Sequence, residues 1–180
     1  MQSNKQMPNM TLKNIATACN GTYIGSLEME DKIICGAVID SRLVEEDYLF
    51  IPIKGERVDG HDFIPQVFEK GACCVLSEIE LENPTGPYIK VESSEEALKQ
   101  IAAFYRQGLS VKVVGITGSV GKTSTKEMIS SVVSQKYKVH KTAGNFKMRL
   151  VFRLRCLVLG RNMMWRFWKW EFPILMRCID

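Results

Sequence analysis

Histidine is nearly absent from this chain. His61 and His140 are the only two, and neither has a partner set at metal-ligand spacing. A histidine-built zinc centre is thereby excluded, and His61 alone makes no catalytic constellation. The six cysteines (Cys19, Cys35, Cys73, Cys74, Cys156, Cys178) contain no C-x-x-C pair. They read as reduced thiols, with Cys73 and Cys74 as strand packing. Long apolar runs are missing too. No stretch reaches the roughly 18 residues that a membrane span needs. The opening MQSNKQMPNM is polar and has no secretory apolar core. With 46% hydrophobic and 24% charged residues, the composition is that of a soluble globular protein, and a cytoplasmic location is expected.

The net charge of +4 is unevenly placed. Residues 147–180 hold eight Lys and Arg against Glu171 and Asp180, a net of +6, which leaves the first 146 residues at −2. All three tryptophans and four of the nine methionines lie in the same tail. The basic character therefore belongs to the tail, and no nucleic-acid footprint is read on the body. The tail follows neither a helical nor a strand period, so no membrane-surface helix is read there either.

The first part of the chain alternates short apolar runs with turns. TLKNIATA, 11–18, predicts a helix capped by Thr11. Strands are predicted at TYI, IICGAVI (33–39), YLFIPI (48–53), CCVLS (73–77) and YIKV. A helix over 64–70 should stop at Gly71, and Ser93/Ser94 should cap an amphipathic helix EEALKQIAAFYRQ. This is an α/β unit over residues 1–92, followed by a linker helix over 93–110. A second unit opens at 111 with VKVVGIT, apolar on both faces as an internal parallel strand requires. A glycine loop, a helix from about Thr123 to Gln135 and the strand KVHKT follow. This βαβ pattern begins a nucleotide-binding parallel sheet over 111–146. Nothing after Phe146 is expected to continue it, and residues 147–180 read as an aberrant tail.

The loop is T-G-S-V-G-K-T-S, Thr117 to Ser124. It departs from the spacing G-x-x-x-x-G-K-[ST], but its place after an apolar strand and before a helix is that of a phosphate cradle. Gly118 and Gly121 permit the tight turn and bring backbone N–H groups against phosphate oxygens without a Cβ in the way. The helix N-terminus favours an anion. Lys122 offers a point charge for the β- and γ-phosphates, and the Thr123 hydroxyl offers an oxygen to Mg²⁺. A purely structural glycine turn is the other reading.

ITGSVGKTSTKEM followed by KVHKTAGNF resembles the Mur ligase superfamily of ATP-dependent amide-forming enzymes. AVIDSRLVEEDYLFIPIKGERVDGHDFIPQVFEKGA resembles the same family's N-terminal domain. The likeness spans about residues 11–146. It implies an α/β architecture: a small N-terminal domain for a UDP-muramoyl substrate, then a P-loop parallel-sheet ATP domain that is incomplete here. Among family members it points to those that add D-alanyl-D-alanine to UDP-N-acetylmuramoyl-tripeptide in peptidoglycan synthesis. A member adding another amino acid, or a non-catalytic UDP-sugar-binding fragment, stays open. ATP and Mg²⁺ are the implied cofactors, and a monomer is expected. The resemblance implies ATP phosphates on Gly118, Ser119, Val120, Gly121, Lys122, Thr123 and Ser124, with Lys122 catalytic and Thr123 on Mg²⁺. It also places Thr142 and Asn145 near phosphate and substrate, and Ser41 and Arg42 facing the UDP-sugar. Lys54, Asp59, Gly60 and His61 lie in a loop on the same side. Arg42 and Lys54 suit a pyrophosphate. Asp40-Ser41-Arg42 reads equally as a turn capped by Asp40, and 54–63 as a solvated loop.

The family pattern expects an asparagine-rich stretch, a G-L-P-L-like helix, a strand ending in Glu-Met-Gly whose glutamate binds magnesium, and a C-terminal domain. None stands in the translated sequence. Yet the last base of each codon, read with the first two of the next, forces several residues because Met and Trp have one codon each. Positions 163–170 then spell Asp-Val-(Ala or Glu)-x-Leu-Glu-(Met or Val)-Gly. Residues from Lys147 likewise permit Asn-Glu-Ile-Gly and then Leu-Pro-Leu. A frameshift near Phe146 or Lys147 is expected, with a poorly packed tail and an inactive chain.

Overall fold

The computed structural model describes residues 6–55, 58–109, 112–116, 118–141 and 165–169. They form two compact units, the first ending at Leu109. In the first, helix α1 (Leu12–Ala18) starts where the Thr11 Oγ1 accepts the Asn14 N–H at 3.1 Å. That satisfies one of the N-terminal donors a helix leaves unpaired. Strands β1 (Thr22–Ile24), β2 (Gly36–Val38), β3 (Tyr48–Phe50), β4 (Cys74–Ser77) and β5 (Tyr88–Lys90) form one sheet, in the order β1-β5-β4-β3-β2. β2 to β5 run parallel, and β1 closes the edge antiparallel to β5, pairing Tyr23 with Ile89. Helix α2 (Ile64–Glu69) leads into β4 through Gly71, whose φ of +97° is the left-handed conformation that glycine takes without penalty.

Both faces of this sheet are covered. Phe50, Val75 and Tyr88 pack with Ile64 and Val67 of α2. Strand alternation turns Leu49, Cys74, Leu76 and Ile89 to the other face, and all four are completely buried. Helix α3 (Ser94–Gln107) packs on α1 and buries Leu98 and Ile101. Ser93 Oγ caps it by accepting the Glu96 N–H at 3.4 Å. Cys19, Cys35, Cys73 and Cys74 are free thiols. Burial pushes Cys19 up to about 11, Cys73 up to about 12 and Cys74 well above the ordinary thiol range, so these thiols stay protonated and unreactive.

In the second unit, β6 (Lys112–Ile116) leads through the glycine loop into α4 (Lys122–Val133), and β7 (Val139–Lys141) follows. β6 and β7 are not neighbours. Strand β8 (Trp165–Lys169) lies between them, parallel to both, pairing Lys112 with Trp165 and Ile116 with Lys169. The expectation that nothing after Phe146 continues the sheet is corrected here. A slot between two parallel strands exposes two rows of backbone donors and acceptors, and residues 165–169 satisfy both rows.

The core makes one prediction. Leu98→Ala should lower the unfolding free energy by about 2–5 kcal/mol. Leu27→Ala, at a position 81% exposed, should stay within about 0.5 kcal/mol. Equal losses for the two in denaturant titrations would contradict this packing.

Candidate functional site

The first unit carries a cleft of about 510 Å³ at the carboxyl ends of β2 and β3. In open parallel sheets this is the end where ligands bind. Of the residues singled out in the sequence, Ser41, Arg42 and Gly60 line it. So do Lys70 and Gln66 at the end of α2, which sequence reasoning missed because only the fold carries α2 to this wall. Ile39, Ile53 and Phe63 give it an apolar floor.

Ser41–Leu43 form one 3₁₀ turn, capped by Asp40, whose Oδ1 accepts the Arg42 N–H at 3.0 Å. The Arg42 guanidinium folds back onto the same carboxylate in a bidentate pair, 2.9 Å from Nε and 2.7 Å from Nη2. The Asp40 cap and a cleft-facing Arg42 therefore coexist. Lys70 Nζ donates to the Ser41 carbonyl at 2.9 Å, which places a second cation on the same rim. Two cations and one carboxylate leave a net positive rim suited to a phosphate-bearing ligand.

The neighbouring loop is held from within. Lys54 and Asp59 bridge antiparallel, and the Gly60 N–H donates to the Ile53 carbonyl at 3.1 Å. A Cβ on Gly60 would meet the Ile53 N at 2.7 Å and the Pro52 Cα at 2.9 Å, so a side chain there would lift the loop from the strand end. His61 does not line the cleft. Its Nδ1 lies 2.6 Å from Asp59 Oδ1, and its Nε2 accepts the Glu78 N–H at 3.2 Å. This fixes the neutral tautomer with its proton on Nδ1. The Glu78 carboxylate in turn accepts the Ser94 N–H at 2.7 Å, at the start of α3. The chain Asp59–His61–Glu78–Ser94 thus ties the cleft loop to the exit of β4 and to α3. The His61 backbone N–H and then its ring hold Asp59 below the usual carboxylate range.

In the second unit the loop has the form its residues predict. Gly118 at φ +146° and Gly121 at φ +80° adopt conformations that a side chain would strain. Gly121 is the N-cap of α4 and supplies no side-chain cap, so the first-turn N–H groups are left to an incoming anion. The Lys122 ammonium folds onto the Gly118 carbonyl, with the Ser119 carbonyl at 3.4 Å. Ser119, Val120, Thr123 and Ser124 are exposed on the loop and first turn. Thr142 and Asn145 lie outside the described residues. The arrangement fits phosphate groups. For magnesium, which on a nucleotide takes phosphate oxygens, waters and one or two protein oxygens, the loop itself offers the Thr123 hydroxyl; among the described residues no group of three or more His, Cys, Asp or Glu stands together.

Comparison with known proteins places this geometry. The Mur ligase family, catalytic domain, matches residues 34–106, and the Mur ligase middle domain matches residues 116–161. The second match runs past Phe146. The chain belongs to the Mur ligase family. It is 43% identical over 154 residues to the UDP-N-acetylmuramoyl-tripeptide–D-alanyl-D-alanine ligase of Bacillus subtilis (strain 168), covering 84% of this chain and 34% of that one. Among solved structures it resembles the UDP-N-acetylmuramoylalanyl-D-glutamyl-2,6-diaminopimelate–D-alanyl-D-alanyl ligase of Acinetobacter baumannii. The TM-score is 0.78 at 29% identity, over 93% of this chain and 37% of that one. It also resembles the MurF ligase of Thermotoga maritima in complex with ADP, at TM-score 0.67 and 34% identity, over 74% of this chain and 31% of that one. The chain spans about a third of the length of these relatives. Among the described residues no helix is long and apolar enough to cross a membrane.

Two predictions follow from the cleft. Arg42, chiefly through its side chain, holds the Asp40 carboxyl at about 2. The folded value lies below the ordinary one, so the pair stabilises the fold fully above about pH 4 and that share fades as pH falls towards 2. Both partners meet solvent, so the effect is small. Between pH 5 and 2 the melting midpoint of Asp40→Asn should fall less than that of the native chain; superimposable profiles would contradict the pair. His61→Phe leaves the Glu78 N–H without its acceptor and should cost about 1–3 kcal/mol in urea unfolding. A cost under about 0.5 kcal/mol would make the bridge passive.

Proposed function

We propose that this chain carries the UDP-substrate domain and the opening of the ATP domain of a cytoplasmic, monomeric ligase. That ligase joins D-alanyl-D-alanine to UDP-N-acetylmuramoyl-tripeptide in peptidoglycan synthesis. The observation that carries this reading is the loop at the carboxyl end of β6. It combines two positive-φ glycines, an uncapped helix N-terminus and a lysine within reach of both. The cationic rim on the first unit supports the UDP half of the reading.

In the reaction so assigned, the γ-phosphoryl of ATP passes to the terminal carboxylate of the tripeptide. ADP leaves and an acyl phosphate forms. The amine of D-alanyl-D-alanine attacks the acyl carbon, phosphate departs and an amide remains. The part of this chain is positioning and charge stabilisation. The backbone N–H groups of Gly118 to Lys122 receive phosphate oxygens. Lys122 exchanges its two loop carbonyls for the β- and γ-phosphates. Ser124 continues the first turn, and Thr123 would supply one oxygen to Mg²⁺. On the first unit, Ser41, Arg42 and Lys70 receive the diphosphate of the UDP end, over the floor of Ile39 and Phe63. Lys54, Asp59, Gly60 and His61 hold the adjoining wall in place, and Thr142 and Asn145 are assigned to the phosphate and substrate end of the second unit. As translated, the chain holds substrates without completing the amide bond.

Titration calorimetry tests both halves. UDP-N-acetylmuramoyl-tripeptide should bind saturably, and Lys70→Ala should weaken it by about tenfold. Lys122→Ala should abolish ATP binding while leaving the UDP ligand unaffected. No phosphate should be released when D-alanyl-D-alanine is added. Turnover would refute the inactivity, and ATP binding indifferent to Lys122 would refute the phosphate loop.

A further inference from the structure

The placement of β8 gives the tail a meaning its composition alone does not. β8 is the neighbour of β6 on the β7 side, and the register sets Gly115 against Trp168 and Ile116 against Lys169. Its carboxyl end is therefore level with the end of β6, two residues before Gly118. A hard cation on the β- and γ-phosphates takes oxygen donors, and a carboxylate at the end of the strand beside the loop would complete the hydroxyl of Thr123. At that place the chain reads Trp168-Lys169, and neither is a carboxylate. The residues present do not fit the metal that the loop requires.

The neighbouring reading frame does fit it, at the same register. Met163, Met164, Trp165, Trp168 and Trp170 have one codon each. The shifted triplets across 163–170 therefore give Asp, Val, Ala or Glu, then one of Phe, Leu, Ile or Val, then Leu, Glu, Met or Val, and Gly. Every outcome at position 166 is apolar, whichever arginine codon is used. Over the span that β8 occupies, the shifted text runs through forced apolar residues into a glutamate, as a strand that is buried along its length and polar at its carboxyl end. The triplet shared by codons 168 and 169 is a glutamate, which a one-base loss places at position 169, opposite Ile116, and a two-base gain at position 168, opposite Gly115; the glycine follows two triplets later. A chance overlap would have no reason to place the one acid a phosphate loop lacks at the end of the strand beside it.

We infer that residues 147–180 are read one frame away from the text that encodes this strand. The displacement arises from the loss of one base, or the gain of two, near codons 146 and 147. The translated chain keeps the sheet slot filled by backbone pairing but has no carboxylate beside its phosphate loop. The frame assignment stands on the codons and the register. The metal deficit rests in addition on the phosphate-loop reading above.

The two are tested apart. The nucleotide sequence across codons 140–180 should read, in the shifted frame, Asn-Glu-Ile-Gly-Leu-Pro-Leu from codon 147, then run without a stop through codon 170. A stop in that frame, or polar residues in place of Ile, Leu and Leu, overturns the frame assignment. For the metal, ATP affinity is measured by calorimetry with Mg²⁺ and with EDTA. It should change by less than about twofold in the chain as translated, and rise by about tenfold or more with Mg²⁺ once a single base restores the frame. A tenfold Mg²⁺ effect in the unrestored chain overturns the deficit. Absence of ATP binding in both chains overturns the phosphate-loop reading and leaves the codon result standing.

Discussion

The backbone hydrogen-bond demand of β6 and β7 governs the second unit. A βαβ turn that skips a strand leaves two rows of N–H and C=O groups facing an open slot, and those groups cannot be left unpaired. Whatever sequence follows must deliver an extended segment to that slot. Residues 165–169 do so, and their arrival fixes which residues stand beside the phosphate loop. Backbone pairing is blind to side-chain identity. A strand can therefore be right in topology and wrong in chemistry, and the Trp168-Lys169 end of β8 is that situation.

The first unit is governed by side chains instead. Its sheet is buried on both faces, so Leu49, Phe50, Val75, Leu76 and Ile89 all have apolar neighbours. Only its strand ends are free to do chemistry. Polar groups gather there, where local turns hold them. The Asp40 cap draws Arg42 inward, Lys70 ties down the Ser41 carbonyl, and His61 ties the adjoining loop to Glu78. Each is a short-range contact on a rigid strand end, and together they shape a cleft that no one of them would make.

Much of this was legible in the order of residues. Thr11, Ser93 and Gly71 mark helix ends by side-chain and backbone rules that act within a few positions, and the structure uses all three that way. Gly118 and Gly121 announce positive φ, and both adopt it. The strands at 48–53 and 73–77 were legible as apolar runs, although their paired cores are shorter. Lys70 in the cleft was not legible, because its contact with Ser41 spans 29 residues. The His61–Glu78 bond spans 17, and no pattern of residue types encodes that pairing.

By itself the sequence determined what depends on neighbours along the chain: helix caps, apolar periodicity, the glycine hinge of the phosphate loop, and the codon constraint hidden in Met and Trp. Tertiary structure alone decided what depends on neighbours in space. It brought α2 to the cleft rim, set the His61 ring between Asp59 and the Glu78 N–H, and put residues 165–169 between β6 and β7. The division is physical. Capping and periodicity are set by bond geometry over one or two turns, whereas sheet order and cleft lining are set by which surfaces can be buried together, a property of the whole packed unit.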